Sequence, residues 1–395
     1  KGSDTFKVTV MIYNQGTVTA AEADYITEEL SVEFANVSFR NGVATLAWNA
    51  GTVQEGPPPV THTYSSEWSF DETQHWHDCT DRDGAKSGVG NHTSAAACTV
   101  CGYWQWTIVE DNPFGGINIR SIAYGNNRFV AGTHRGLIAY SADGVSWTAV
   151  EDRPFGSDST YGSSAIIDIA YGNGRFVAVG GNGKMTYSAD GVSWTVVAPG
   201  TSRDSGHTFG TTGIAAITYG NNRFVAGGGD GKMAYSTDGV SWTAVADSTF
   251  GTTQINAIAW GNNRFVAGGN GGKMAYSADG QSWTAIADSA FGDSGINAVA
   301  WGNNRWVAVG SNGKMAYSAD GVRWTAVADS GLGNYHITDV AWGNGRFVTG
   351  RYVIAYSTDG VRWTVGTKFS ISSIAYANGR FVAGSDYGRI AYTDW

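Results

Sequence analysis

The feature that most constrains the fold is an internal repeat that begins near residue 104 and continues to the end of the chain. One copy, Ile255–Ile286, reads I-N-A-I-A-W-G-N-N-R-F-V-A-G-G-N-G-G-K-M-A-Y-S-A-D-G-Q-S-W-T-A-I. A Gly-Asn-x-Arg-aromatic anchor recurs seven times, in variant form in the last copy, with its arginine at Arg128, Arg175, Arg223, Arg264, Arg305, Arg346 and Arg380. Subtraction gives spacings of 47, 48, 41, 41, 41 and 34 residues.

Each copy contains four short runs with the composition of β-strands. In the copy above they are 255–260, 264–268, 273–277 and 283–286, and Gly-Asn-rich or Asp-Gly turn sequences separate them. Four short antiparallel strands, repeated every 40–50 residues, are the sequence form of a propeller blade. The repeat therefore predicts an all-β, seven-bladed β-propeller over residues 103–395.

The two ends of the repeat predict how the ring closes. The last copy ends at Trp395 with three strands, whereas Trp106–Gly115 closely matches Trp147–Gly156, which begins a fourth strand. We expect strand 103–110 to complete the seventh blade in a 3+1 arrangement. This pairing would remove two exposed sheet edges.

The turn between the third and fourth strands reads Ser-x-Asp-Gly-x-x-Trp in six copies. Its aspartates are Asp143, Asp190, Asp238, Asp279, Asp320 and Asp359. These motifs, in register over about 290 residues, resemble the Asp-box (bacterial neuraminidase repeat) propellers, which include sialidases, sortilin-like receptors, xyloglucanases and photosystem assembly factors. The resemblance implies the fold and says little about chemistry.

We interpret these aspartates as structural residues of the turns. Asp accepts backbone N–H bonds across a tight turn, Gly provides a positive φ, and Trp packs over the hairpin. Six equivalent acids spread around a ring cannot converge on one substrate atom, so neither catalysis nor calcium binding is expected of them.

The candidate binding face carries the loops between strands two and three and the loops between blades. Lys184, Lys232, Lys273 and Lys314 occupy one equivalent position there. They would form a partial cationic ring for an acidic glycan, or act as solvated strand ends. The irregular loops 151–164 and 198–213 add Tyr161, Arg203 and His207 as candidates, because function concentrates on irregular loops of a regular scaffold.

A phenylalanine followed by glycine also recurs between the blades. The residues are Phe114, Phe155, Phe209, Phe250 and Phe291. They would stack on sugar rings or, as we favour, plug the space between adjacent blades.

The repeat argues against an enzyme. Sialidases of this fold need an arginine triad, a Tyr-Glu nucleophile pair and an acidic Asp, and the early copies carry no Arg-Ile-Pro-type motif. The acids outside the aspartate turns, among them Asp168, Asp230, Asp293 and Asp339, look scattered. Copies three to five are nearly identical, whereas a catalytic site needs neighbours that differ. A glycoside hydrolase with two facing carboxylates is the less favoured alternative.

Two smaller parts precede the propeller. Residues 1–55 read as a small β unit with a strand at 6–13, a helix at 20–29 and a hairpin of 30–39 with 43–48 across Asn41-Gly42. Residues 56–102 begin with a stiff proline-rich linker. A strand as short and lone as 6–13 is a candidate for addition to the sheet of a second molecule.

The segment after the linker contains all three cysteines of the chain. Its Trp-His-x-Cys and His-Thr elements resemble a His/Cys zinc-ribbon-like module of bacterial surface proteins, although Arg82 replaces one expected cysteine. Three thiolates and one imidazole would make a closed structural zinc site. The predicted ligands are Cys79, Cys98, Cys101, His92 and His77, with a Cys98–Cys101 or Cys79–Cys98 disulfide as the alternative.

The composition of the chain indicates its partners and its location. A net charge of −9 disfavours nucleic acid and anionic membranes as partners, and no apolar run reaches the length of a membrane span. Low charge and the missing initiator Met fit a mature extracellular or cell-surface bacterial protein whose signal peptide was removed. We expect a non-enzymatic binding or adhesion module for glycan or protein. The alternative is a structural subunit that self-assembles into a surface layer or filament through its N-terminal strands.

Overall fold

The computed structural model describes residues 106–156, 164–197, 208–366 and 368–393, together with the backbone of five strands that precede them. Seven four-stranded antiparallel sheets follow one another along the chain. Each innermost strand packs against the innermost strand of the next blade, and the seventh packs against the first. The predicted seven-bladed ring is therefore confirmed.

Strands at equivalent positions have similar lengths in all seven blades. From blade 1 to blade 7, the innermost strands are Ile119–Gly125, Ile166–Gly172, Ile214–Gly220, Ile255–Gly261, Ile296–Gly302, Asp339–Gly343 and Ser373–Ala377. In the same order, the second strands are Arg128–Thr133, Arg175–Gly180, Arg223–Gly228, Arg264–Gly269, Arg305–Gly310, Arg346–Gly350 and Arg380–Gly384. The third strands are Ile138–Ser141, Met185–Ser188, Met233–Ser236, Met274–Ser277, Met315–Ser318, Ile354–Ser357 and Ile390–Thr393.

The outermost strands are the shortest. They are Thr148–Ala149, Thr195–Val196, Thr243–Ala244, Thr284–Ile286, Thr325–Ala326, Thr364–Val365 and, in blade 7, Thr107–Val109. Single 3-10 turns follow five of the second strands, at Gly181–Gly183, Gly229–Gly231, Asn270–Gly272, Ser311–Gly313 and Asp386–Gly388. Among the described residues, no helix has the length and apolarity needed to cross a lipid bilayer.

Blade 7 closes the ring as predicted. Thr107–Val109 pairs antiparallel with the third strand of that blade, with Val109 opposite Ile390 and Thr107 opposite Tyr392. Val109 is buried with residues of blades 7 and 1, whereas its neighbour Ile108 is 44% exposed. The first described strand of the propeller therefore contributes to the core as well as to the sheet.

The core lies between adjacent blades. One cluster joins Val266 of blade 4 to Ile296 and Trp306 of blade 5, and equivalent clusters lie between the other blades. Glycine at the end of an innermost strand lets the next blade approach closely. A Cβ added to Gly220 would lie only 2.1 Å from Cγ of Trp260 in the next blade. This contact accounts for the glycine that follows an aromatic residue and begins the anchor in blades 1 to 6.

The turns between first and second strands take the conformation that their sequence predicts. Asn126 and Asn127 have φ values of 46° and 56°, and Asn262 and Asn263 repeat this with 44° and 55°. Asn tolerates this left-handed region better than most residues, and paired left-handed residues give the hairpin turn that matches strand twist.

The chain divides into two compact units, Lys1–Thr61 and His62–Trp395. In the first, Val37–Arg40 pairs antiparallel with Val43–Leu46, with Arg40 opposite Val43, as the predicted hairpin requires. The second contains, before the propeller, a sheet of three strands. They are Ser69–Phe70, Gln74–Asp78 and Lys86–Asn91. The predicted strand 6–13 and helix 20–29 lie outside the described residues, and the three-part division at residues 55 and 102 stays a prediction.

Candidate functional site

The propeller has two faces, which we name by their connections. The loop face carries the inter-blade loops and the loops between second and third strands, which hydrogen-bond to one another, as Gly229 N does to Gly213 O at 3.0 Å. The turn face carries the other two kinds of turn. There Asn221 Nδ2 of blade 3 donates to Ala278 O of blade 4 at 3.1 Å.

The aspartate turns lie on the turn face. Oδ1 of Asp279 accepts hydrogen bonds of 2.8 Å from the backbone N–H groups of Gln281 and Ser282. Asp143, Asp190, Asp238, Asp320 and Asp359 accept the equivalent pair. Partial burial raises the pKa of Asp190, but the bonds from Ser193 and Val192 outweigh it and lower this pKa to about 2. Oδ1 of each carboxylate is thus engaged within its own turn.

The anchor arginines also belong to the turn face. Each guanidinium lies over the ring of the third-strand tyrosine in its own blade, at 4.9 Å for Arg380 over Tyr392 and 5.4 Å for Arg264 over Tyr276. Arg380 Nη1 of blade 7 also donates to Asp143 O of blade 1 at 2.7 Å. The arginine thus links one blade to the aspartate turn of the next.

The four predicted lysines contact the backbone of the inter-blade loops. Nζ of Lys184 donates to Phe155 O and Nζ of Lys314 to Phe291 O, both at 2.8 Å. Lys232 and Lys273 make the same bond to Phe209 O and Phe250 O. The four ammonium groups thus lie at equivalent positions on the loop face, and each donates to a backbone carbonyl of the loop that precedes its blade.

The recurring phenylalanines are not available to a sugar. Phe114 and Phe291 are 0% exposed and Phe155, Phe209 and Phe250 are at most 2% exposed. They fill the space between adjacent blades, which is the interpretation that the sequence favoured.

Several predicted site residues fall outside the described part of the chain. Tyr161, Arg203 and His207 lie there, as do Cys79, His92, Cys98 and Cys101. His77 lies on strand Gln74–Asp78, opposite Ser87 in the register. The zinc site therefore stays a prediction.

A row of exposed tyrosines marks the loop face of blades 6 and 7. Tyr335, Tyr352 and Tyr387 are 57%, 51% and 76% exposed. Tyr335 lies in the loop before blade 6, Tyr352 between the second and third strands of blade 6, and Tyr387 at the same place in blade 7. The rings of Tyr335 and Tyr352 meet edge to face with centroids 5.7 Å apart.

An arginine continues the row from blade 6 to blade 7. The Arg351 guanidinium lies 5.3 Å from the centre of the Tyr352 ring, and its Nη2 is 3.8 Å from Oδ2 of Asp386. Asp386 directly precedes Tyr387, whose N–H donates to Asn118 Oδ1 in the loop before blade 1. Tyr335, Tyr352, Arg351, Asp386 and Tyr387 thus form one connected surface, which we call the tyrosine row.

Basic side chains flank the tyrosine row. Arg135 in blade 1, Lys368 in the loop before blade 7 and Arg389 in blade 7 are exposed. Arg120, also exposed, is the second residue of the innermost strand of blade 1, where blades 4 and 5 carry Asn256 and Asn297.

A second asymmetric feature lies on the innermost strands, which ring the centre of the propeller. At one repeat position blades 3, 4 and 5 carry alanine, whereas blades 6, 7, 1 and 2 carry Asp339, Ser373, Ser121 and Asp168. The sequence made Asp168 and Asp339 look scattered, and this interpretation was wrong. Closure of the ring makes blades 6, 7, 1 and 2 consecutive, so the two carboxyls end one continuous polar arc.

Hydrogen bonds connect the arc across the blade boundaries. Asp339 Oδ2 accepts from Ile374 N at 2.8 Å, and Ser373 Oγ accepts from Ile122 N at 3.0 Å. Ser121 Oγ accepts from Ile169 N at 3.0 Å and donates to Asp168 Oδ1. Asp168 Oδ2 then accepts from Ile217 N of blade 3 at 2.8 Å. Each polar side chain thus bonds to the strand of the following blade.

The two carboxyls are poised to titrate near neutral pH. Burial raises the pKa of Asp168 to about 6 despite the hydrogen bonds that it accepts. Burial also raises the pKa of Asp339 to about 7, and the negative charge of Asp168 contributes to this rise. A negative charge nearby disfavours ionisation of a carboxyl.

Both features lie in the same sector of the ring. The tyrosine row occupies blades 6 and 7 and reaches blade 1 through Asn118, and the polar arc occupies blades 6, 7, 1 and 2. The sequence contains a signal for both the tyrosine row and the polar arc, because their residues depart from the consensus of the repeat. A comparison of the copies position by position would have found them.

The fold is shared with propellers of known structure. YCF48 from Cyanidioschyzon merolae aligns with a TM-score of 0.55 and 17% identity, covering 73% of this chain and 98% of that chain. YCF48 bound to D1 peptide gives a TM-score of 0.58 at 15% identity, covering 76% and 100%. The WD40 repeats of RRP9 give 0.56 at 12% identity, covering 76% and 99%. No family model and no curated protein matches the chain.

Proposed function

We propose that this chain is a non-enzymatic binding module that captures a segment of a protein partner on the loop face of blades 6 and 7. The observation that carries this proposal is the tyrosine row. Three tyrosines are strongly exposed among the described residues, and all three lie in this row. Tyrosine is enriched in the energetic centres of protein interfaces, because it provides a large rigid surface with a polar tip.

Two further observations support a protein segment as the ligand. The propeller fold is typical of protein-interaction modules, and YCF48, which shares this fold, has been observed with a peptide bound. In this chain the lysines that the sequence offered for an acidic glycan donate to backbone carbonyls. The phenylalanines offered for sugar stacking are buried.

The geometry of the polar arc supports a non-catalytic role for its two carboxyls. Both oxygens of Asp168 and both oxygens of Asp339 accept backbone N–H bonds, and these bonds join neighbouring strands or fix the strand itself. A general acid or nucleophile must present an oxygen to its substrate. We propose that these groups link the blades.

The proposal is tested by panning a library of random twelve-residue peptides, about the length that a row of three side chains can contact, on the full chain. We expect enriched peptides to lose at least about tenfold in affinity in Tyr352→Ala or Tyr387→Ala, because an interface centre loses about 2 kcal/mol or more on truncation. Thr252→Ala, an exposed position on the loop face of blade 4, is the control. Peptides that bind all three variants equally would contradict the proposed site.

A glycan array probed with the same protein tests the carbohydrate alternative of the adhesion hypothesis. Glycan binding that survives both tyrosine substitutions would place the ligand class and the site elsewhere. An extracellular or cell-surface location remains part of the proposal and rests on composition alone.

Self-assembly is a second candidate function. Residues Lys1–Thr61 form a compact unit of their own that contains a paired hairpin, which fits a connector between copies. Removal of residues 1–55 would abolish assembly seen by electron microscopy if this function is correct. It would leave peptide binding by the propeller unchanged.

A further inference from the structure

Charge is unevenly distributed over the loop face. In the loops before blades 4, 5 and 6, Asp247, Asp288 and Asp329 are exposed. Each accepts a backbone N–H bond within its own loop, from Thr249, Ala290 and Gly331 respectively.

Five further cations lie on blades 6, 7 and 1 of the same face, whereas Lys184, Lys232, Lys273 and Lys314 lie on blades 2 to 5, where each donates to a backbone carbonyl. Arg351 belongs to the tyrosine row, and Arg120, Arg135, Lys368 and Arg389 flank it. The one carboxylate within the row is Asp386, while Glu110 and Asp111 line a cleft at the outer rim with Val145 and Trp147. In a chain with a net charge of −9, this sector is a local reversal of sign.

The ion pair inside the row is weak and incomplete. Arg351 reaches Asp386 through Nη2 alone, at 3.8 Å, which is longer than a direct charge-assisted hydrogen bond of about 2.8 Å. Ser372 Oγ donates to the other oxygen of Asp386 at 3.3 Å. The Arg351 side chain is 33% exposed, and a guanidinium has five N–H donors in a planar fork. The Arg351 guanidinium can therefore donate two parallel hydrogen bonds to a second carboxylate from solution.

From these observations we infer that the tyrosine row binds an acidic segment of a protein, with a carboxylate of that segment on Arg351 and its apolar groups on Tyr352 and Tyr387. This inference rests on the proposed function and adds the chemical class of the partner. Asp247 and Asp288, in the loops before blades 4 and 5, repel the same segment and thereby favour its binding to blades 6 and 7. Asp386 acts as an internal competitor for Arg351.

The charge on Asp386 gives the inference a test in which two substitutions have opposite effects. Arg351→Gln removes the carboxylate partner, so we expect enriched peptides to bind about five- to fiftyfold more weakly. Asp386→Asn keeps the shape and removes the competitor, so we expect binding about two- to fivefold tighter. Arg323→Gln is the matched control, since Arg323 is exposed on the turn face and forms its own ion pair with Asp320.

The experiment uses the peptide pool selected on the full chain and isothermal titration of its strongest members. We expect Asp and Glu to outnumber Lys and Arg in the enriched pool, and affinity to fall as salt rises from about 50 to 500 mM, because salt screens exposed charges. Circular dichroism and thermal melting of each variant check that the fold is retained.

Each outcome has a separate meaning. Two outcomes would contradict an acidic partner: tyrosine-dependent peptides that are neutral or basic, or peptides that bind Asp386→Asn no better than wild type. In either case the proposed function would still hold. If no peptide is enriched, the proposed function fails as well. If polygalacturonate competes as strongly as the peptides, the row recognises carboxylates on any carrier and a protein segment is the wrong partner.

Discussion

At the scale of single residues, the spacing between blades depends on glycines that lie against aromatic rings. A Cβ on Gly261 would lie 2.3 Å from Cβ of Trp301, and equivalent contacts recur at Gly125, Gly172, Gly220, Gly302 and Gly343. Blade 7 carries Ala377 at this position, so its boundary with blade 1 accommodates the methyl group that the others exclude.

We expect Gly261→Ala to lower the free energy of unfolding by about 1–3 kcal/mol, because overpacking forces two blades apart. The measurement is urea unfolding followed by tryptophan fluorescence. Gly213→Ala is the control, since a Cβ there meets nothing within 4 Å. Equal stability of the two variants would show that the blade spacing is not set by this contact.

The polar arc makes stability depend on pH near neutrality. The pKa values of Asp168 and Asp339 in the folded chain, about 6 and about 7, exceed the value of 3.8 for an unperturbed aspartate. The folded state therefore holds protons that the unfolded state has released between about pH 4 and 7, so its stability falls as pH rises through this window and levels off above it.

We expect the double variant Asp168→Asn with Asp339→Asn to lose this decline, because neutral amides occupy the arc at every pH. Urea unfolding at pH 5 and pH 8 measures the difference, and these pH values lie above the range where the aspartate turns lose their charge. Asp293→Asn, at an exposed position, should retain the wild-type pH profile. A decline in the double variant as steep as in wild type would contradict the assignment.

At the scale of elements, the closing strand joins the two ends of the propeller. Val109 is 7% exposed in this strand, and Ile108 is 44% exposed. We expect Val109→Asp to cost about 3 kcal/mol or more, because it buries an unpaired charge in the boundary between blades 7 and 1. Ile108→Asp should cost much less, and thermal melting compares the two. Similar melting temperatures would show that the strand does not contribute to the core.

The sequence allowed prediction of the elements because one pattern of strands and turns recurs in seven copies. The Gly-Asn turns, the strand pattern and the match of Trp106–Gly115 to Trp147–Gly156 each specify local structure through chain neighbours. The closing strand could be predicted because the fourth strand that the last copy lacks is present at the start of the repeat. The role of the lysines was harder to predict. Whether Nζ of Lys273 contacts a ligand or Phe250 O depends on where the preceding inter-blade loop lies.

At the scale of the whole molecule, the polar arc depends on ring closure. Asp168 and Asp339 are far apart in the chain, and the interpretation of them as scattered followed from reading along it. The tyrosine row lies on blades 6 and 7, which are neighbours in the chain, and ring closure adds its contact with Asn118. The repeat predicts a symmetric scaffold, and function requires departures from it. Those departures gather where the chain begins and ends its circuit.

The closing strand also determines how the ring responds to mechanical load. Six blades are continuous hairpins, whereas blade 7 holds its outermost strand through three residue pairs between Thr107–Val109 and Ile390–Tyr392. Tension on the chain before Trp106 acts directly on those pairs. Blade 7 also carries Tyr387, so a partner anchored there would load the same blade that closes the ring.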